Sequence, residues 1–325
     1  MIAPILAAAC ALVGPCNNAE VGTKAVRAGG DWTRFGYDAA RRNAGPRSTG
    51  ITAASVGRLR RLRVTLDGTV DSSPIYLRGV SVGGSPHDVF IVTTSYGKTL
   101  AIDADTGSAL WRFTPSGYSS WAGSTQITNS SPVADPSRRF VYSASPDGHI
   151  HKLEVVTGRE VTTGSWPALI TRDQRHEKIG PALNFSRGIV LAGTGGYIGD
   201  APPYQGHLVT VAASSGRVLR VWNSLCSDRS GLIDTRSCPE SGSAIWARSG
   251  VVVEPGTGRL LVATGDGRFD GRTYWGDSVL LLSPNARQLL RNWTPPNHRE
   301  LESSDVDLGS TAPALVSPGL AIQGG

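Results

Sequence analysis

The chain has 325 residues, 39% of them apolar and 18% charged, with 40 Gly and 20 Pro, so nearly a fifth of the sequence is turn chemistry. That composition excludes a helical bundle and an intrinsically disordered chain, and suits an all-β fold that reverses direction often. The charge is +6 with pI near 9.3, and only four of the basic residues are Lys.

Residues 2–14, IAPILAAACALVG, form an apolar run too short to span a bilayer. The run resembles the core of an export signal, so residues 1–30 are expected to be a leader and linker. The protein is expected in the periplasm or outside the cell, with Cys10 or Cys16 as positions for lipid attachment and no transmembrane span in the mature chain. Arg58-Leu59-Arg60-Arg61-Leu62-Arg63 is the densest basic run. No aromatic residues interleave with it, so it reads as a solvated strand or loop with its leucines inward, and no nucleic-acid partner is expected.

From residue 88 the chain repeats itself. DVFIVTTSYGKTLAIDADTGSALWRF (88–113) reads as strand, turn, strand, turn and a strand carrying Trp111. The same plan returns over 139–166, 188–222 and 259–293, ending near Trp166, Trp222 and Trp293. A short strand with a small-residue motif precedes each unit: Ser72-Ser73-Pro74, Ser130-Ser131-Pro132, Gly180-Pro181, Ser243-Ala244-Ile245-Trp246 and Thr311-Ala312-Pro313. Four strands per unit at a period of roughly 50–65 residues is the pattern of a β-propeller. One four-stranded blade cannot bury both of its faces, and radial packing solves this, with a late Trp filling the gap between blades. Four full blades and a partial fifth are expected over 31–325, with the propeller incomplete at its C-terminal end, as in a fragment of a longer chain.

Cys226 and Cys238 sit in an aperiodic loop rich in Ser, Gly, Pro and Asp. No further metal ligands stand nearby at zinc spacing, so a disulfide is expected. His149-x-His151 puts two imidazoles on one face of an ordinary strand. Arg175-His176-Glu177-Lys178 reads as a charged surface loop, and Gly193-Thr194-Gly195-Gly196 is not a phosphate cradle because no helix pattern follows it.

The unit Leu100-Ala101-Ile102-Asp103-x-x-Thr106-Gly107-x-x-x-Trp111 resembles the repeat of pyrroloquinoline-quinone (PQQ) propellers, a group that includes quinoprotein alcohol dehydrogenases and non-enzymatic outer-membrane assembly lipoproteins. Asp31-Trp32-x-x-Phe35-Gly36-x-Asp38, with Arg42-Asn43 and Ile51-Thr52, is similar to the N-terminal segment of the quinoproteins. In those dehydrogenases PQQ lies near the axis beside a Ca²⁺, and a Trp stacks on it. The resemblance implies Trp246 as the cofactor-stacking residue, Asp266 and Asp200 as metal ligands, and Asp307 or Asp305 as the catalytic base. Asp266 stands where the family has Asn. Each residue also has a plainer reading: Trp246 as packing between blades, Asp266 as a hairpin-turn residue, Asp305 and Asp307 as a solvated acidic loop.

The sequence carries neither an adjacent Cys-Cys pair nor a C-x-x-C-H haem motif. It therefore points first to an exported propeller acting as a binding scaffold for a protein or carbohydrate partner in the cell envelope. The alternative is a PQQ- and Ca²⁺-dependent dehydrogenase oxidising an alcohol or sugar.

Overall fold

The structure, a computed structural model, describes residues 29–197, 199–317 and 319–325. The leader, with Cys10 and Cys16, lies outside the described residues. Four four-stranded antiparallel sheets follow one another in chain order. Blade 1 comprises β1 (Ile75–Val82), β2 (Ser85–Thr93), β3 (Thr99–Asp103) and β4 (Ala109–Phe113). Blade 2 comprises β5 (Val133–Ala134), β6 (Phe140–Ala144), β7 (His149–Glu154) and β8 (Ala168–Leu169). Blade 3 comprises β9 (Asn184–Ser186), β10 (Ile189–Gly193), β11 (His207–Ala212) and β12 (Val218–Asn223). Blade 4 comprises β13 (Val252–Val253), β14 (Leu260–Ala263), β15 (Val279–Leu282) and β16 (Leu289–Trp293). A helix, α1 (His298–Ser304), leads to a two-stranded sheet of β17 (Ala314–Ser317) and β18 (Leu320–Ile322). The fold is thus an all-β propeller whose sheets do not close into a ring.

Side chains alternate across a strand, and both faces of a blade are apolar. In β10, Val190 and Ala192 pack with Tyr142 and Ile150 of blade 2, while Leu191 between them packs with Val262 and Leu280 of blade 4. Blade 1 meets blade 2 in the same way, through Ile75, Ile91, Ala101 and Trp111 against Val141, Leu153 and Val155. Burial on both sides explains why these strands read as nearly continuous Val, Ile, Leu and Ala.

The Asp-x-x-Thr-Gly turn has a physical reason to recur. Asp103 accepts from the backbone N–H of Asp105 and of Thr106 and from the Thr106 hydroxyl, closing the turn before Gly107 at φ +75°. Glu154-x-x-Thr157-Gly158 repeats it, with Thr157 Oγ1 2.7 Å from Glu154 Oε2. Gly158 lies flat on the preceding blade's tryptophan: a Cβ there would stand 2.5 Å from the Trp111 ring, whose Nε1 donates to Val155 O at 2.8 Å. Only glycine fits at a positive φ against an indole face.

Trp111, Trp166 and Trp222 are 8%, 4% and 7% exposed, but Trp293 is 55% exposed. The first three have a following blade to cover them, whereas among the described residues blade 4 is followed by the two-stranded sheet of β17 and β18. Trp166 departs from the predicted pattern in a second way, because it precedes β8 rather than lying in the outermost strand. Gly216 of blade 3 presses on the backbone at Ser165 and Trp166, which holds that detour in place.

A lead-in segment ties the blades together near their inner strands. Trp32 exchanges backbone hydrogen bonds with Tyr76, and Thr33 O accepts from Ala134 N. Arg34 donates to Asn184 Oδ1 and Phe185 O, and Ala39 O accepts from Val253 N. Ten residues thus touch the innermost strands of all four blades. Burial, then the neighbouring Arg34 charge, pushes the Arg41 guanidinium down to about 9 as it donates to Ala182 O and Leu183 O.

Two stability measurements check this packing. In urea unfolding, Gly158→Ala is expected to lose about 1–3 kcal/mol by overpacking the Trp111 ring. Trp293→Ala is expected to change stability by no more than about 0.5 kcal/mol, because no blade covers it.

Candidate functional site

The segments at the small-residue motifs that lead into the blades converge on one region. Asp71 precedes Ser72-Ser73-Pro74 and Arg248 follows Trp246, yet Arg248 Nη2 lies 2.7 Å from Asp71 Oδ1 across 177 residues of sequence. Asn129, Lys178, Gly180, Trp246, Arg248 and Ser310 line a cavity of about 220 Å³ there. Every one of the four later lead-in segments contributes to it.

Beside this cavity lies an acidic cluster. Ligand atoms of Asp266, Asp305 and Asp307 all fall within 4.8 Å of one another. Two glycines make the approach feasible. A Cβ on Gly309 would stand 2.4 Å from the Gly265 nitrogen, and one on Gly265 would stand 2.3 Å from Asp307 Oδ1. The end of β14 and the acidic loop can therefore touch backbone to backbone. The Asp266 N–H donates to Asp307 Oδ1 at 2.5 Å. Helix α1 ends at Asp305 in the left-handed conformation, φ +52°, which Asp tolerates better than most residues, and that turn sends Asp307 back toward β14.

Burial, the charge of Asp307 and a hydrogen bond between the two carboxyls push Asp266 up to about 7. Burial raises Asp307 as well, and it raises Asp277 to about 6. Asp277 is fully buried with φ +45°; its N–H donates to Gly265 O and its Oδ1 accepts from Leu308 N. It thereby clamps the β14–β15 hairpin to the acidic loop. Asp200 is not part of the three-carboxylate cluster; burial raises its pKa, and so does the charge of Asp305.

Trp246 is half-buried between the two halves of the site. Its Nε1 is buried without a hydrogen-bond partner, and its side chain packs on Gly195 and Gly265. In the same cavity Lys178 is desolvated, which lowers its pKa against the pull of Asp200 and Asp71. The region therefore gathers carboxylates, an indole and two cations, one of which, Arg248, is paired with Asp71.

The structure places several residues differently from their plainest sequence reading. Asp307 is buried, not a solvated loop residue, while Asp305 is exposed. In 175–178 Arg175 is exposed and His176 and Lys178 are half-buried, but Glu177 is buried against His207 Nε2 at 2.9 Å, and His207 Nδ1 meets Asn223 Oδ1 at 2.7 Å. Charge pattern alone hides such a burial, because its partner lies 30 residues away. Lys178, Arg248, Asn129 and Asp277 were missed as site residues, although the first three have a usable signal in their position next to the small-residue motifs. Cys226 and Cys238 form the expected disulfide, and Thr235 inside its loop donates to Asp173 Oδ2 at 3.1 Å, bracing the segment that carries Lys178. His149 and His151 lie in β7, paired with Asp147 and Glu160.

No family model and no curated protein matches the sequence. Solved structures do match. A quinohemoprotein alcohol dehydrogenase from Pseudomonas putida HK5 aligns with TM-score 0.63 at 17% identity, over 82% of this chain and 40% of that one. The quinohemoprotein alcohol dehydrogenase from Comamonas testosteroni aligns with TM-score 0.61 at 20% identity, over 81% and 41%. A europium-containing methanol dehydrogenase aligns with TM-score 0.64 at 17% identity, over 90% and 54%. The fold is that of the quinoprotein dehydrogenase propellers. The chain spans about half, or less, of the length of these structures. Among the described residues no helix is long and apolar enough to cross a membrane.

The raised carboxyls give the cluster a definite pH signature. A carboxyl whose folded pKa lies above its unfolded value adds stability at low pH, and that stability is lost as pH rises through the folded value. With chelator present, the melting temperature is expected to fall between pH 5 and pH 8 as Asp266 ionises near 7. Thermal melts across that range check it, and Asp266→Asn is expected to flatten the profile.

Proposed function

We propose that the axial site holds a multivalent cation against a planar, anionic quinone of the PQQ class, and that the protein is a quinoprotein-type dehydrogenase acting on an alcohol or sugar. The observation that carries this reading is the close set of Asp266, Asp305 and Asp307 beside an indole whose buried Nε1 has no partner. Buried polar atoms are nearly always satisfied, so the unpartnered Trp246 Nε1, Asp200 Oδ1 and Asn129 Oδ1 around one region support a bound polar group.

The donor set fits such a group. Carboxylate oxygens are hard ligands suited to Ca²⁺. With Asp266 in the place of a neutral Asn, the Asp266–Asp307 pair brings one more carboxylate, which also suits a trivalent ion of the kind named for the europium-containing methanol dehydrogenase. Lys178 and Arg248 suit the carboxylates of an anionic cofactor. When bound, a cation-polarised quinone supplies the two-electron acceptor that the protein itself lacks.

The chain's own residues divide the remaining work. Asp307, held by the Asp266 amide, is a ligand and not a free base. Asp305 is exposed and unburdened by such a bond, so it is the group placed to take a substrate hydroxyl proton. Trp246 shields one side of the cavity from water. Export to the periplasm or beyond belongs to the same proposal, supported by the Cys226–Cys238 bond.

The scaffold reading stays as the second, favoured by the uncovered face of blade 4 around Trp293. One titration separates them. Purified protein given PQQ with Ca²⁺ or La³⁺ is expected to show cation-dependent quenching of tryptophan fluorescence and dye-linked alcohol oxidation. Asp305→Ala is expected to keep the quenching and lose about 100-fold or more in turnover. Absence of quenching with either cation leaves only the scaffold.

A further inference from the structure

Lys178 lines the axial cavity, yet its ammonium forms no hydrogen bond or ion pair among the described residues. It sits in an aperiodic stretch between β8 and β9, so no strand sets its direction. Its backbone exchanges hydrogen bonds with Gly195, Lys178 N to Gly195 O at 2.7 Å and Gly195 N to Lys178 O at 3.0 Å. Neighbouring side chains in such an extended pairing point to opposite sides. Lys178 therefore faces the cavity because Glu177 faces the other way, into blade 3.

There Glu177 joins a closed polar chain. Its side chain and that of His207 are both fully buried, with His207 Nε2 2.9 Å from Glu177 Oε1. Oε1 also accepts from the Gln205 N–H at 3.1 Å, and Oε2 accepts from the Thr171 hydroxyl. On the far side of the imidazole, Nδ1 lies 2.7 Å from Asn223 Oδ1. Asn223 Nδ2 donates to Arg229 O at 3.1 Å and to Gly231 O at 3.3 Å, so Oδ1 is left to accept and Nδ1 to donate. Arg229 and Gly231 belong to the loop closed by Cys226–Cys238. That loop reaches the Lys178 stretch a second time, because Thr235 donates to Asp173 and Asp173 O accepts from Glu177 N at 2.7 Å.

A buried ion pair adds little stability over apolar side chains of the same volume, so stability alone does not account for this chain. It runs from the disulfide loop at one end to the neighbour of an unpaired cation at the other.

We propose that Asn223, His207 and Glu177 are positioning residues for Lys178, anchored by the Cys226–Cys238 loop, and that Lys178 so held receives the carboxylate of a planar anion in the cavity. The ligand rests on the quinone reading of that cavity, whereas the positioning does not.

Only Lys24, Lys98, Lys152 and Lys178 carry a side-chain amine, so reductive methylation with isotope-labelled formaldehyde makes each one visible by NMR. Desolvation lowers the Lys178 pKa and the bond to Asp67 raises that of Lys98, so Lys178 is expected to titrate below Lys98 in the parent. Asn223→Leu, and separately Cys226→Ala with Cys238→Ala, are expected to release Lys178 into water. Its midpoint then rises by about 0.5 pH unit or more while that of Lys98 stays in place. Val209→Ala, which opens a cavity in the core of the same blade, is expected to lower the melting temperature without moving the Lys178 midpoint. PQQ with Ca²⁺, followed by tryptophan quenching, is expected to bind about tenfold more weakly to Lys178→Met and to Asn223→Leu. The two losses are not expected to add, because Asn223 acts through Lys178. An unmoved Lys178 midpoint in either folded variant, or fully additive losses, overturns the proposal. A raised midpoint in a protein that PQQ never quenches keeps the positioning and overturns the quinone as its ligand.

Discussion

A four-stranded blade with two apolar faces cannot exist by itself in water, and the rest of this molecule follows from that constraint. Val190 and Leu191 are neighbours in one strand, yet they belong to two different hydrophobic layers, one shared with blade 2 and one with blade 4. Each layer needs the blade beyond it. The turn chemistry serves the same end, since Gly158 of the carboxylate-capped turn in blade 2 lets that sheet lie within contact distance of Trp111 in blade 1. Where a neighbour is lacking the rule fails visibly, at Trp293 on one side and at Leu59 and Leu62 on the other.

Radial packing also makes the site. Stacked blades bring their innermost strands together, so the residues that lead into those strands meet although they are far apart in sequence. Arg248 reaches Asp71, and Lys178 and Asn129 line one cavity with Trp246. The lead-in segment of residues 32–41 crosses the same four strands, reaching blades 1, 2 and 4 through its backbone and blade 3 through Arg34 and Arg41. The site residues are thus positioned by the sheets and not by the loops that carry them.

This explains what the sequence could and could not reveal. Strand positions, the small-residue–Pro motifs and the turn glycines are local, and local patterns predict the blades and their order. Trp166 escaped the pattern because a detour held by Gly216 of the next blade moves it out of the outermost strand. Glu177 looked like a surface charge because its partner, His207, is joined to it only by the fold. Asp266 and Asp307 come together through the close approach of Gly265 and Gly309, which no spacing in the sequence announces. Only a resemblance to a known repeat pointed to them.

The acidic cluster runs against stability. Three carboxylates held together and partly removed from water repel one another, and Asp277 adds a buried carboxylate oxygen with no partner. A neutral Asn at 266 would ease this strain, as would a side chain at Gly309 that forced the loops apart. The chain has neither; it has glycines that permit the contact, a left-handed Asp305 that turns the loop inward, and Asp277 clamping it there. Unfavourable geometry enforced by several independent devices is the mark of a site shaped for something other than the stability of the empty fold. That geometry is what the proposed multivalent cation rests on, and the indole with Lys178 and Arg248 around one cavity is what the proposed planar anion rests on.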